Sequence, residues 1–334
     1  MKTFHCTSFV ITCSMVTILG SAAIFMPAPS GITVAHASFS AKGIETLPMV
    51  EASRSALNAP TVDMINLDME TSSGPADGGS RQDQLNWDLQ AVLKGTRDVP
   101  RLTLASLPDD LGLVRETQAR KAIFFKTVLP LVLQVNEQIL EDRARLKQLA
   151  VQEKKLGPIE ALDRLWLAVM AERYGTKRDD IVAMLDHHDV VPPSLALAQA
   201  AMESAWGSSR FVREGNAMFG QWTFSSTHSG IVPSARDADK AHRVRAFASL
   251  SDSVTSYVLN LNKHRAYREY RALRADLRRA AKPLDGLRLA ATLWRYSERG
   301  TAYVDELRTI ISSNDLNRVD GARLSRTAQI EPLI

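Results

Sequence analysis

The stretch "PPSLALAQAAMESAWG", residues 192–207, decides the fold of this chain. Two prolines open it, where the first turn of a helix tolerates them, and Gly207 closes it as a C-terminal cap. Ala, Leu and Met dominate the residues between, so the pattern predicts a helix over 193–206 that is buried on almost all sides. Glu203 lies in the last turn of that helix. Because glutamate in a helix normally lies on a solvent-exposed face, this carboxyl is the first candidate for a catalytic group.

The chain around this helix is predicted to be mainly helical from Val114 onward. Apolar residues recur at helical spacing in most segments, with Pro130 inside one of them. Between Phe219 and Phe247 the periodicity stops, and "MFGQWTF", "GIVPS" and "HRVRAF" predict two or three short strands. The expected fold class is therefore mainly α, a helical domain with a small β-hairpin insertion.

The first 37 residues have the pattern of a secretory signal peptide. Lys2 precedes a long apolar run, and "VAHA" supplies the small residues of a cleavage site after Ala37. An uncleaved membrane anchor is the alternative, because the apolar run is long. Both cysteines of the chain, Cys6 and Cys13, lie in this segment, so the mature protein would need no disulfide and offer no thiol nucleophile.

The rest of the chain divides into three predicted parts. Residues 38–112 are polar and rich in turn residues, which is typical of a mostly disordered tether, with one short helix around 85–93. Residues 113–320 form the folded domain, and 321–334 form a flexible tail. Residues 1–114 carry 7 Lys and Arg against 11 Asp and Glu, so most of the positive charge lies in the folded domain.

A basic domain suits an anionic partner. Nucleic acid is not the expected one: the Arg-rich run 263–282 interleaves its charges with Leu273 and Leu277 at helical spacing, which indicates an exposed helical face. With an export signal, an anionic cell wall or envelope surface is the better partner.

Two effects at the end of the predicted helix favour a protonated Glu203: partial burial and the negative end of the helix dipole. A carboxyl kept protonated near neutral pH suits a general acid. Trp206 supplies an apolar neighbour. The alternative is a structural glutamate paired with an arginine such as Arg210.

Three segments resemble a known family. "ALAQAAMESAWGSSRFVREGNAMFGQW" (196–222), "RAFASLSDSVTSYVLNLNKHRAYREYRALR" (245–274) and "LWRYSERGTAYVDELRTII" (293–311) follow one another in the order found in bacterial β-N-acetylglucosaminidases of the peptidoglycan-hydrolase type. These belong to the lysozyme-like superfamily, and the similarity is closest to their Bax-like branch. It covers roughly residues 160–315.

The resemblance implies a role for several residues. Glu203 would be the catalytic acid, with "GNAMFG" (215–220) turning beside it. Many relatives have a second Asn where this chain has Ala217. The relatives often read "Y-A-T-D-P-x-Y" where this chain reads "YSERGTAY"; only Tyr296 and Tyr303 carry over, as groups that contact the sugar or shape the site.

A second carboxylate is expected from the β insertion, where the family's second acid has been proposed. "RDADKAHRVRAF" offers Asp239, with Asp237 as the alternative. Either would act as base or nucleophile, unless both are solvated loop charges. The acetamido oxygen of the substrate is a third choice, because some glycosidases use the substrate as their own nucleophile.

Polar and aromatic residues near Glu203 fit sugar recognition, because flat rings stack on the C–H faces of sugars and amides bind acetamido groups. Ordinary core packing is the alternative for each aromatic ring. Trp222 is the preferred cleft residue. The expected substrate contacts are Asn216, Phe219, Gln221, Trp222, Tyr296 and Tyr303, with Trp206 and Phe224 as further aromatic neighbours.

No cofactor or metal is expected. His187, His188 and Asp189 resemble a metal-binding fragment, but no second ligand cluster stands at metal spacing, so a loop or helix end is the better interpretation. The serines around Glu203 lack the frame of a serine hydrolase.

The expected function is that of an exported hydrolase, in the periplasm or cell envelope, cutting the β-1,4 bond between N-acetylglucosamine and N-acetylmuramic acid. Two alternatives keep the same cleft: a lytic transglycosylase, which releases anhydro products, and a non-catalytic glycan-binding or morphogenesis factor.

Overall fold

The computed structural model describes residues 84–102, 104–155, 157–234 and 241–326. The prediction of a mainly helical domain with a small β insertion is confirmed. The helices, in chain order, are α1 Leu89–Leu93, α2 Thr117–Lys155, α3 Ala161–Tyr174, α4 Ile181–His187, α5 Pro193–Glu203, α6 Arg210–Gly215, α7 Leu250–Lys263, α8 Arg268–Arg279, α9 Gly286–Ala290 and α10 Thr301–Ser313. Short 3₁₀ helices lie at Leu111–Leu113, Arg265–Tyr267 and Leu316–Gly321.

Helix α2 is the longest element and continues through Pro130. By length and composition it is apolar enough to cross a membrane, but 67% of its most apolar window is buried inside the protein. Its N-terminal half packs in the main core. Its C-terminal half joins α3 and α4 in a second, smaller core around Leu146, Met170 and Met184.

Helix α5 lies at the centre of the main core, in contact with α2, α9, α10 and the turn at Leu316–Gly321. Its residues from Pro193 to Ala201 are buried, as the composition predicts. Its first turn is fixed by Asp320, which accepts hydrogen bonds from the backbone N–H and the hydroxyl of Ser194, both at 2.8 Å. The N–H of Gly286 donates to the same carboxyl at 3.2 Å. Helix α5 is therefore fixed at its first turn, and its last residue, Glu203, lies half-buried at the other end.

The β insertion is a three-stranded antiparallel sheet of very short strands, in the order β1-β3-β2. The strands are β1 Trp222–Thr223, β2 Gly230–Ile231 and β3 Arg243–Arg245. Trp222 pairs with Val244, and Ile231 pairs with the same residue from the other side.

The predicted boundary between tether and domain at residue 112 is wrong for the last part of the tether. Side chains between 89 and 111, among them Val92, Val99 and Leu111, are buried in the main core. Val99 also forms a parallel bridge with Leu324, inside the predicted tail. The short helix is present, at Leu89–Leu93. Because this segment buries scattered single side chains along mostly irregular backbone, its sequence shows no period that would predict burial.

The remaining parts of those predictions lie outside the described residues. They are the signal peptide with Cys6 and Cys13, the tether up to residue 83, and the tail from residue 327.

Candidate active site

The site begins where α5 ends. The helix stops at Glu203, three residues earlier than its composition predicts, because Ala205, Trp206 and Gly207 all have left-handed backbone, with φ of 49°, 58° and 79°. At Gly207 a side chain is excluded by space as well as by φ: a Cβ would lie 2.7 Å from Leu111 Cδ2. The close approach of the 107–111 segment thus requires the glycine that reverses the chain after Glu203.

Trp206 is fixed inside this reversal. Its ring packs edge-on against Phe124 and Phe125 of α2, with ring centroids 6.0 and 5.5 Å away. The ammonium of Lys121 lies 4.7 Å from its centroid. The predicted role as an apolar neighbour of the site is compatible with this packing, which ties the end of α5 to α2.

Glu203 is half-buried and its pKa is shifted. Burial raises the pKa of its carboxyl to about 7, from an ordinary value of 4.5; a hydrogen bond with Tyr303 and the nearby Arg299 act in the opposite direction. The predicted alternative, a pair with Arg210, is wrong: the guanidinium of Arg210 binds the carboxylate of Glu214 at 3.2 Å, on the exposed side of α6. About half of the Glu203 carboxyls therefore keep their proton at pH 7, and nearly all do so one to two pH units lower.

A hydrogen-bonded set of buried side chains lies behind Glu203. The Tyr257 hydroxyl donates to Gln199 Oε1 at 2.7 Å, and Gln199 Nε2 donates to the Tyr303 hydroxyl oxygen at 2.8 Å. The Tyr303 hydroxyl lies close enough to the Glu203 carboxyl for each group to shift the pKa of the other. The set joins α5, α7 and α10. Tyr303 is therefore next to Glu203, as the resemblance implies, while Gln199 and Tyr257 were not predicted.

Tyr296 forms part of the same wall. Its ring stacks on that of Tyr303 at 5.6 Å with 9° between the planes, and its hydroxyl donates to the backbone oxygen of Phe219 at 3.2 Å. The turn after Phe219 also approaches the acid, since a Cβ on Gly220 would lie 3.2 Å from Glu203 Oε2. Both tyrosines and the predicted turn thus gather around Glu203.

Two of the predicted sugar contacts make structural contacts within the fold. Phe219 is buried and stacks on Tyr257, with centroids 3.8 Å apart. The Asn216 amide donates to the backbone oxygens of Phe247 and Ala248, while its backbone takes the left-handed C-cap position of α6. Both residues look like sugar-binding types in sequence, but their side chains hold the turn that carries Gly220.

Gln221 and Trp222 lie on the sheet side of the site. The Gln221 amide donates to the backbone oxygen of Ser256 at 3.3 Å, which ties the start of β1 to α7. Trp222 is 59% exposed and stacks on His242 at 4.4 Å, and Phe224 is 73% exposed beside the same imidazole. Trp222 thus presents a largely exposed ring, while its role as a cleft residue stays a prediction.

The loop acids Asp237 and Asp239 lie in 235–240, outside the described residues, so their role stays a prediction.

The His187-His188-Asp189 fragment is a helix end, as predicted. His187 is the last residue of α4, and His188 bonds Tyr174 and Asp142. Asp189 is buried between the guanidinium groups of Arg143 and Arg278, at 3.2 and 2.8 Å. Within the described ranges, no three His, Cys, Asp or Glu side chains converge in a metal-binding arrangement.

The predicted exposed face of the Arg-rich helix is wrong in part. Arg274 of α8 is fully buried and donates to backbone oxygens at the end of α4 and just after it, including those of His187 and Asp189. Arg271 is buried too and donates to the backbone oxygens of Leu261 and His264. These arginines cap helix ends, a partnership between distant segments that helical spacing does not reveal.

The comparisons with known proteins assign a class to this mainly helical domain with its half-buried glutamate beside stacked tyrosines: that of the glucosaminidases. Residues 179–316 match the Glucosaminidase family, described as mannosyl-glycoprotein endo-beta-N-acetylglucosaminidase. The chain is 30% identical over 216 residues to "Protein bax" of Escherichia coli (strain K12), across 63% of this chain and 75% of that protein. No solved structure matches. The chain belongs to the Bax-like glucosaminidase family.

Proposed function

We propose that the protein is an exported peptidoglycan hydrolase that cleaves the β-1,4 bond between N-acetylglucosamine and N-acetylmuramic acid, with Glu203 as general acid. The observation that carries the proposal is the position of Glu203: half-buried at the end of a rigid helix, with a pKa of about 7. A general acid works best when its pKa lies near the working pH. Family membership supports the same class of reaction.

The chemistry begins with proton transfer. The Glu203 carboxyl donates its proton to the glycosidic oxygen while the bond from that oxygen to the anomeric carbon breaks, and positive charge develops on the sugar. The electron pair of the broken bond stays on the leaving oxygen, and Glu203 becomes a carboxylate. Cleavage should therefore fall as the pH rises through about 7, where the acid loses its proton.

The anomeric carbon then needs a nucleophile. Asp239 is proposed as the base that activates water, with Asp237 as the alternative and the acetamido oxygen of the substrate as the third choice. If Asp239 is the base, Asp239→Asn should lose most of the cleavage while its neighbour Asp237→Asn loses little. Equal, mild losses in both variants would favour the acetamido oxygen.

The exposed ring of Trp222 supports binding of the glycan strand. A ring open over much of its surface can stack on a sugar without repacking the core, whereas the buried ring of Phe219 cannot. The strand would then run from Trp222 past Gly220 to Glu203.

The deciding experiment is mass analysis of fragments released from purified peptidoglycan. Hydrolysis yields fragments with N-acetylglucosamine at the reducing end. Anhydromuramic products, lighter by one water, would instead assign a lytic transglycosylase. If the protein binds glycan strands and releases no fragments, the remaining interpretation is a non-catalytic glycan-binding factor.

Export is proposed from the sequence of the first 37 residues. Secreted protein should begin at Ser38, as read by N-terminal sequencing. An intact Met1 found only in membrane fractions would favour an anchor.

A further inference from the structure

The hydrogen bonds behind Glu203 have a definite direction. A tyrosine hydroxyl carries a single proton and accepts through its oxygen. Gln199 Nε2 donates to the Tyr303 oxygen, so the one proton of Tyr303 is free to be directed at the Glu203 carboxyl, which lies close enough to raise the pKa of Tyr303. The orientation of the Gln199 amide therefore decides whether Tyr303 donates to the acid.

Tyr257 sets the orientation of that amide. Its hydroxyl donates to Gln199 Oε1 at 2.7 Å, which turns Nε2 toward Tyr303. If the amide turned over, the Tyr257 proton would face an N–H group in the core and lose its acceptor, which is costly for a buried donor. Burial also raises the pKa of Tyr257 and of Tyr303, so both hydroxyls keep their protons.

We propose that Gln199 and Tyr257 are positioning residues, whose hydrogen bonds direct the hydroxyl proton of Tyr303 to Glu203. One carboxyl oxygen of Glu203 is then occupied as an acceptor, and the proton to be transferred resides on the other. Neither positioning residue touches the reacting atoms. The inference rests on the proposed role of Glu203 as the acid and adds how its proton is placed.

The position of Gln199 on helix α5 supports a functional role for its hydrogen bonds to Tyr257 and Tyr303. Gln199 and Glu203 stand four residues apart on α5, hence on one face of the helix. Gln199 is a fully buried amide in a helix of Ala and Leu, and both ends of its side chain are bound by tyrosines of other helices. Because a core position of this kind would otherwise take an apolar residue, the amide requires a reason beyond packing.

Other groups also act on the acid and must stay constant in a test. The titratable or charged groups that influence Glu203, or are influenced by it, are Tyr303, Arg299, Glu306, Tyr257, Tyr267 and Tyr296. Arg299 is paired with Glu306. The test therefore changes hydroxyl groups alone and leaves every charge in place.

The chosen variant is Tyr257→Phe. Its ring keeps the stack on Phe219, at 3.8 Å and 5°, so the core stays filled. Without the Tyr257 proton, Gln199 is free to turn Oε1 toward Tyr303, and the Tyr303 proton then leaves Glu203. Loss of a donor to a carboxylate raises its pKa, here by roughly half a unit or more.

The measurement is a ¹³C NMR titration of the Glu203 carboxyl, assigned by its absence in Glu203→Gln. Tyr303→Phe removes the donor itself and gives the full effect. In that background Tyr257→Phe should add nothing, because Tyr257 acts through Tyr303. Tyr270→Phe, which removes another fully buried tyrosine hydroxyl on α8, is the matched control and should leave the pKa of Glu203 unchanged.

Turnover is measured on the same proteins. Tyr257→Phe should move the alkaline limb of the pH–rate profile to higher pH and lower kcat by roughly tenfold. Glycan binding should be unchanged. A structural role would lower stability without moving the limb. A wild-type pKa of Glu203 in folded Tyr257→Phe or Tyr303→Phe would overturn the proposal. If the pKa moves but no glycan is cut even by the wild type, the positioning stands and the proposed function fails.

Discussion

The raised pKa of Glu203 links the site to the stability of the fold. In the unfolded chain this carboxyl ionises near its ordinary value of 4.5, whereas in the folded protein it ionises near 7. The folded state binds the proton more tightly, so the stabilisation is complete below 4.5 and is lost as the pH rises through 7. Glu203→Gln removes this pH dependence and keeps an oxygen that can accept from Tyr303.

The magnitude follows from the two pKa values. At 1.36 kcal/mol per pKa unit, the free energy of unfolding of the wild type should fall by about 2.5 kcal/mol relative to that of Glu203→Gln when the pH is raised from 5 to 8. Over the same range the variant should lose cleavage on the order of 10²–10⁴-fold, because an amide cannot donate the proton that the leaving oxygen needs.

Urea unfolding of both proteins at pH 5 and pH 8 measures the first effect, and glycan-strand cleavage on the same preparations measures the second. Glu214→Gln is the matched control, since Glu214 is an exposed glutamate one helix further on. An equal stability difference at both pH values would refute the raised pKa. Near-normal cleavage by Glu203→Gln would end the catalytic assignment.

Two further predictions concern the cluster at the end of α4 and the exposed aromatic ring. Asp189→Asn leaves the buried Arg143 and the partly buried Arg278 without their counter-charge and should destabilise the fold by about 3–5 kcal/mol. Asp163→Asn, in a partly exposed pair with Arg145, should cost about 1 kcal/mol or less. Equal losses in thermal unfolding would contradict the role of burial. Trp222→Ala should weaken binding to glycan strands in a sedimentation assay by roughly tenfold or more, with little change in melting temperature because the ring is largely exposed. Unchanged glycan binding would remove Trp222 from the substrate path.

The sequence alone was enough for helix α5 and its glutamate, because the information is local. Prolines at the start, a uniform apolar composition and a glycine after the end predict a buried helix wherever they occur together. A carboxyl in the last turn of such a helix has apolar neighbours, which shield it from water and favour its protonated form. The helical pattern of the domain is predictable for a similar reason, since its periodicity is carried within short windows of sequence.

Only the tertiary structure decided which partners those residues meet. Phe219 and Asn216 have the residue types of sugar contacts, but the turn they belong to is held by Tyr257 and by the backbone at Phe247. Arg274 has the spacing of an exposed charge and is buried because a distant helix ends against it. Gln199 precedes Glu203 by one helical turn in the sequence. The hydroxyl groups that it binds, those of Tyr257 and Tyr303, lie 58 and 104 residues further along the chain. Hydrogen bonds between distant segments leave no period in the sequence, and so the placement of the proton on Glu203 is a property of the fold.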